Sequence, residues 1–346
     1  MKDIFNRIEP NEKLDDKFLL LDEFGGFKPA KAIIKEIADD FEDKDGNFIQ
    51  QFQTTGFESR LWELFLFSVF KENNFEIQDD YDRPDFHLLK DGSEIYVEAT
   101  ISTEKTDEKY TAEFINESIQ KKDLKIQNEL IDYYVIRMGS VLFSKLNKKY
   151  WELEWVKEKP LLFAITPSHN YIANFLPDSK IIEYLYGLFH EAEITEKGLE
   201  SRGLKKTLTH TFNEKEIPSN FFSQENVENI SAVIFTNNCD PHKFNRMGFQ
   251  QGLVNDEFII YRTGLAYDPT PNSTAKMFKQ NVKPGVMIEE WKESVSVFHN
   301  PNAIHKIDKE LFNGFRQVWL NENGELEGII PDIFVYNSIT AAALID

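Results

Sequence analysis

Residues 57–73 read FESRLWELFLFSVFKEN, a run without glycine or proline and apolar on nearly every side. A helix of that kind has no face to give to water, so other elements must enclose it. Asn73-Asn74 ends the run, and the periodicity then changes. Short β-like pieces follow at 75–77, 86–89 and 94–101, the last two joined by Lys90-Asp91-Gly92-Ser93. Asp-Gly between two apolar runs predicts a hairpin.

The remaining chain alternates between the two periods. A short helix is expected over 29–41 and a long helical region over 117–150, interrupted near Gly139. The run LLFAIT at 161–166 reads as a buried strand stopped by Pro167. A helix is expected over 179–191, loops over 192–229, a buried strand over 230–236, and further strands over 257–262 and 295–299. This order predicts an α/β fold, a mixed sheet flanked by helices in one elaborated domain. Residues 1–54 form an acidic N-terminal extension, 55–166 the core, and 167–346 its continuation and elaboration.

Composition narrows the class. The 30 phenylalanines among 346 residues supply a sizeable core rather than a disordered chain. No apolar run approaches the roughly 18 residues that span a bilayer, so no membrane partner is expected. Met1 to Asp16 lacks the apolar stretch of a signal peptide, and a single cysteine, Cys239, allows no internal disulfide. These features predict a cytoplasmic protein.

The chemistry concentrates at Arg83-Pro84-Asp85-Phe86-His87 and, across the hairpin, Tyr96-Val97-Glu98-Ala99-Thr100. Asp85 and His87 share one face of their strand, and Glu98 and Thr100 one face of theirs. Pairing through the Asp91-Gly92 turn brings Asp85 and Glu98 together. Two carboxylates among apolar neighbours repel each other unless a cation sits between them. Hard oxygen donors suit Mg²⁺ or Mn²⁺, which lower the pKa of an attacking water. Asp85 after Pro84 also suits a turn, His87 reads as a sheet histidine, and Arg83 as a surface charge or a phosphate contact.

An acid after proline, a hairpin, and then an acid near the end of the next strand resembles the PD-(D/E)XK nuclease superfamily. The motif is Pro84-Asp85 … Glu98-Ala99-Thr100, and the resemblance covers about residues 55–166. The strings FESRLWEL, RPDF, VEAT, FNRMGF and FHNPNA are also similar to stretches of bacterial proteins grouped with this fold. The resemblance implies a restriction-endonuclease-like core with a C-terminal elaboration, and Mg²⁺- or Mn²⁺-dependent phosphodiester hydrolysis of nucleic acid, DNA before RNA. It implies metal ligands at Asp85, Glu98, the Ala99 carbonyl and an acid on the preceding helix. Glu58, on the most apolar side of that helix, is the preferred acid, and Glu63 the alternative. A homodimer is compatible with it.

The departure is Thr100, which stands where the superfamily carries a lysine. Lys145, on the helical region before Tyr150, is the substitute cation the sequence offers. Lys121, Lys122, Lys148 and Lys149 lie in the same locally basic stretch, which reads either as a solvated helix face or, with Arg83, as a phosphate contact surface. The net charge of −20 weighs against a non-specific grip on duplex DNA. Without its lysine the fold also suits a catalytically inactive module that binds nucleic acid or a protein partner, and an acidic interaction protein is a third reading. His299 and His305 do not have zinc spacing, and neither a phosphate-binding glycine loop nor a Gly-x-Ser-x-Gly elbow is present. Cys239 reads as a small buried thiol, with His242 as the base a catalytic role would need.

Overall fold

In a computed structural model, the structure describes residues 3–44, 46–103, 117, 121, 124–168, 171–196, 198–212, 215–253 and 258–344. Three helices open the chain: α1 (Asp16–Glu23), α2 (Lys28–Asp40) and α3 (Phe48–Gln53). Asp15 starts α1 by accepting hydrogen bonds from the Lys17 and Phe18 amides, and Pro29 sits in the first turn of α2. The breaker-free segment is α4 (Phe57–Glu72), enclosed on all sides as its composition requires. Phe57 meets Phe52 of α3, Phe70 meets Phe86 and Phe65 meets Trp291, with ring centroids 5.2, 5.2 and 5.8 Å apart. The Trp62 indole N–H donates to the Ala164 carbonyl at 3.3 Å. Each fully buried Phe or Leu contributes about 1.5–3 kcal/mol. Residues before 54 are therefore part of the main core: Ile4, Phe5, Phe18, Ile34 and Phe52 belong to the same apolar cluster as α4.

After α4 come β1 (Glu76–Gln78), β2 (Phe86–Lys90), β3 (Ser93–Thr103), α5 (Leu124–Leu146) and β4 (Leu161–Ser168). Next are α6 (Asp178–Tyr186), β5 (Leu188–Thr195), β6 (Gly198–Lys206), β7 (Thr209–Phe212) and β8 (Lys215–Pro218). β9 (Ala232–Phe235), α7 (Pro241–Gln250), β10 (Phe258–Ala266) and β11 (Lys276–Val282) follow, then β12 (Ser296–His299), β13 (Arg316–Leu320), β14 (Leu326–Ile329) and β15 (Val335–Leu344). Eight of the described strands form one mixed sheet in the order β1-β2-β3-β4-β9-β12-β13-β14. β1, β2 and β3 are antiparallel, whereas β3, β4 and β9 run parallel. Ile95, Val97 and Ala99 of β3 face the cluster that holds α4, while Tyr96 faces the cluster that holds α5 and α6. Helices thus cover both faces of the sheet, as the α/β expectation required. β11-β10-β15 form a separate small sheet, and β5-β6 and β7-β8 are hairpins.

Four details differ from the sequence reading. Helix α5 runs through Gly139 without a break; a Cβ there would lie 2.7 Å from the Tyr184 hydroxyl and 2.8 Å from Ile217 Cδ1. The glycine allows close packing and does not end the helix. β4 continues through Pro167 to Ser168, because its pairing with β9 ends at Ile165–Phe235 and the proline has a partner strand on one side only. Helix α6 stops at Gly187, held at φ 65°, and 188–191 already belong to β5. The stretch 192–229 carries the two hairpins rather than loops alone.

Candidate active site

The hairpin sets the geometry. Asp91 at φ 49° and Gly92 at φ 77° both adopt the left-handed backbone that a tight two-residue turn needs. That turn fixes the register Lys90–Ser93, His87–Tyr96 and Phe86–Val97. Asp85 stands one residue before that ladder, near enough to Glu98 for the two carboxylates to feel each other's charge. The His87 ring stacks on Tyr96 with centroids 4.6 Å apart, so this face carries His87, Tyr96 and Glu98 together. Beyond Phe86 the β2 ladder ends, and the Asp85 side chain replaces it: Oδ2 accepts the Ala99 N–H at 2.7 Å.

Glu98 is 4% exposed and faces the α5 side of the sheet. Its Oε1 accepts from the Lys145 ammonium, in the last turn of α5, and from the Tyr150 hydroxyl at 2.7 Å. Lys149, at φ 52°, turns the chain sharply after α5 and brings Tyr150 back to the sheet. Burial, then the charge on Glu98, pushes the Tyr150 phenol well above its ordinary value, so it serves as a donor. Burial also raises the Asp85 carboxyl well above the carboxylate range, helped by Glu98 and Glu63, while Lys145 pulls the other way. The acids are therefore short of positive charge.

A cavity of about 650 Å³ opens beside them, lined by Asp85, Ala99, Thr100, Lys145, Arg60 and Glu63 among others. The helical acid in this cavity is Glu63, which accepts from Arg60 at 2.7 Å. The preference for Glu58 is corrected: it ion-pairs with Lys17 in a second cavity of about 330 Å³, beside Cys239 and His242. Five residues along an α-helix turn the side chain by about 140°, so one face of α4 cannot carry both acids into one site. Thr100 lines the cavity and brings no charge, and Arg83 stands exposed at its rim.

Lys145 turns inward, Lys121 pairs with Glu117 at 2.6 Å, and Lys149 pairs with Glu152 at 3.5 Å. Lys148 is exposed, and Lys122 lies outside the described residues. The sequence reading gave no role to Tyr150, Arg60 or Lys44; Arg60 stands in the quoted string FESRLWEL, whereas Lys44 and Tyr150 lie on connections that only the tertiary packing brings to the site. Elsewhere, His299 Nε2 lies 2.8 Å from Gln317 Oε1 inside the sheet, and burial pushes the Cys239 thiol well up.

The donors around Asp85 and Glu98 are all oxygen, which suits a hard cation. Asp85 Oδ1 and Glu98 Oε2 make no hydrogen bond among the described residues. No group of three or more His, Cys, Asp or Glu is placed to hold an ion among those residues. Among the described residues no helix is long and apolar enough to cross a membrane. No protein-family model, no curated protein and no solved structure matches the chain.

Proposed function

We propose that this chain is a metal-dependent phosphodiesterase of nucleic acid, built on a restriction-endonuclease-like core. The observation that carries the reading is the meeting of Asp85, Glu98 and Lys145 at the end of one hairpin. The succession α4, antiparallel β1-β2-β3, crossover α5 and parallel β4 supports it. Asp85 and Glu98 are the residues that would hold Mg²⁺ or Mn²⁺, with the Ala99 carbonyl as a further oxygen. When bound, the ion would supply charge to the phosphodiester and acidity to a water. Lys145 holds the Glu98 carboxylate in place and brings the positive charge that Thr100 lacks. Glu63 adds negative potential from α4 and keeps Arg60 at the cavity.

A second reading, a module that binds without cutting, draws on a specific observation. Lys145 and Tyr150 both occupy Glu98 Oε1, and among the described residues no third acid is placed to share an ion with the pair. Incubation of single- and double-stranded DNA and RNA with each ion separates the two. The catalytic reading expects cleavage by wild type and none by Glu98→Gln. A folded wild type that cuts nothing in either ion favours the binding module.

A further inference from the structure

The walls of the cavity say what form of nucleic acid fits. One wall is formed by Phe41, Glu42, Lys44 and Gln51; the other includes Asp82 and Arg83. Lys44 ties the two walls together. Its ammonium donates to the Tyr81 carbonyl at 3.0 Å and lies 3.8 Å from Asp79. From behind, Tyr81 stacks on Trp155 at 4.7 Å between ring centroids, and the Trp155 indole N–H donates to the Arg83 carbonyl at 2.8 Å. The rim is therefore pinned from both sides, with the acids beneath it.

That rim also carries acid: Glu42 and Asp82 line it and are exposed, with Arg83 as the exposed cation beside them. A duplex is held through rows of phosphates on a basic surface, and those rows would meet carboxylates here. Among the described lysines in and around α5, Lys121 and Lys149 are paired with acids and Lys145 is turned inward. The cavity volume, about 650 Å³, matches a nucleotide-sized ligand rather than a groove. Its lining includes the partly exposed Phe41, an aromatic side chain of the kind on which single-stranded bases stack.

We propose that the site takes a single strand or a frayed end and excludes the interior of an intact duplex. This rests on the phosphodiesterase reading above. A duplex must first unpair to deliver a strand, so its interior is cut about 10²-fold more slowly. The experiment compares a labelled single strand, the blunt duplex of the same sequence and a closed circular duplex, in Mg²⁺. Cleavage is followed with wild type, and binding by fluorescence anisotropy with Glu98→Gln. The expected result is binding and cutting of the single strand, with the circle resistant, and a narrower ratio in Lys44→Ala because the walls are untied. Equal cutting of the circle by wild type overturns the exclusion while leaving the phosphodiesterase standing. A single-strand preference that Lys44→Ala leaves unchanged overturns the walls as its cause. Failure to bind or cut any of the three overturns the phosphodiesterase reading, and this inference with it.

Discussion

Lys145 stands 47 residues beyond Glu98 in the chain, yet its ammonium donates to Glu98 Oε1. Helix α5 makes this possible: it crosses from the end of β3 to the start of β4, and its last turn lies over the strand that carries the acid. Tyr150 completes the arrangement from the turn that follows. Glu98 thus receives its cation through a tertiary contact.

Removing that charge has a readable cost. Lys145→Met leaves a nearly buried Glu98 with Tyr150 as its remaining donor, and a hydrogen bond to a charged group contributes about 1.5–3 kcal/mol. A loss in that range is expected from urea unfolding. Cleavage by the variant is expected to fall by about 10²-fold, the scale of one positioned acid–base group. Full activity in Lys145→Met removes the lysine from the account.

Asp85 makes a prediction about pH. Burial and the neighbouring acids raise its folded-state pKa above the unfolded one. Between those two values the folded chain keeps the proton and the unfolded chain releases it, so stability falls as pH rises through that window. Asp85→Asn removes the charge and still offers an oxygen to the Ala99 N–H. At neutral pH without added metal, the variant should melt at a higher temperature than wild type, and this gain should vanish in acid. A variant less stable at neutral pH contradicts the assignment.

A buried ionic cluster far from the cavity gives a stability test of opposite sign. Glu289 accepts from Lys243 at 2.8 Å and from Arg246 at 2.8 Å, and lies 3.4 Å from Arg262 of β10. Despite burial, these cations hold its carboxyl well below the ordinary value of 4.5. Its contribution is present above the unfolded pKa and is lost as pH falls through the folded one. Glu289→Leu takes the carboxylate from Lys243 and Arg246, while Arg262 keeps Glu293 at 2.7 Å, and should cost about 3–5 kcal/mol, the usual cost of breaking a buried pair. Denaturant titration measures it, and a change under 1 kcal/mol, about the worth of an exposed pair, would place the cluster in solvent.

Local signals carried much of this fold. An all-round apolar run can only be a covered helix, and Asp91-Gly92 sets both turn and register, so α4 and the hairpin were legible. The choice between Glu58 and Glu63 was not, because both lie on one enclosed helix and only the packing around it tells which side meets Asp85. Gly139 misled because a glycine that allows close approach looks the same in sequence as one that breaks a helix. Gly187 carried a usable signal, since a glycine ending an apolar period marks a helix stop, yet the apolar residues beyond it continued the pattern. Tyr150 depended on the left-handed turn at Lys149, which a lysine does not announce.

The central claim is that Asp85 and Glu98 hold one divalent cation, and calorimetric titration of Mn²⁺ or Mg²⁺ tests it most directly. Wild type should bind one ion per chain, with a heat that changes with the buffer because Asp85 gives up its proton on binding. Glu98→Gln, shown to be folded by circular dichroism, should lose that binding. Absence of binding in wild type, or unchanged binding in Glu98→Gln, would contradict the account.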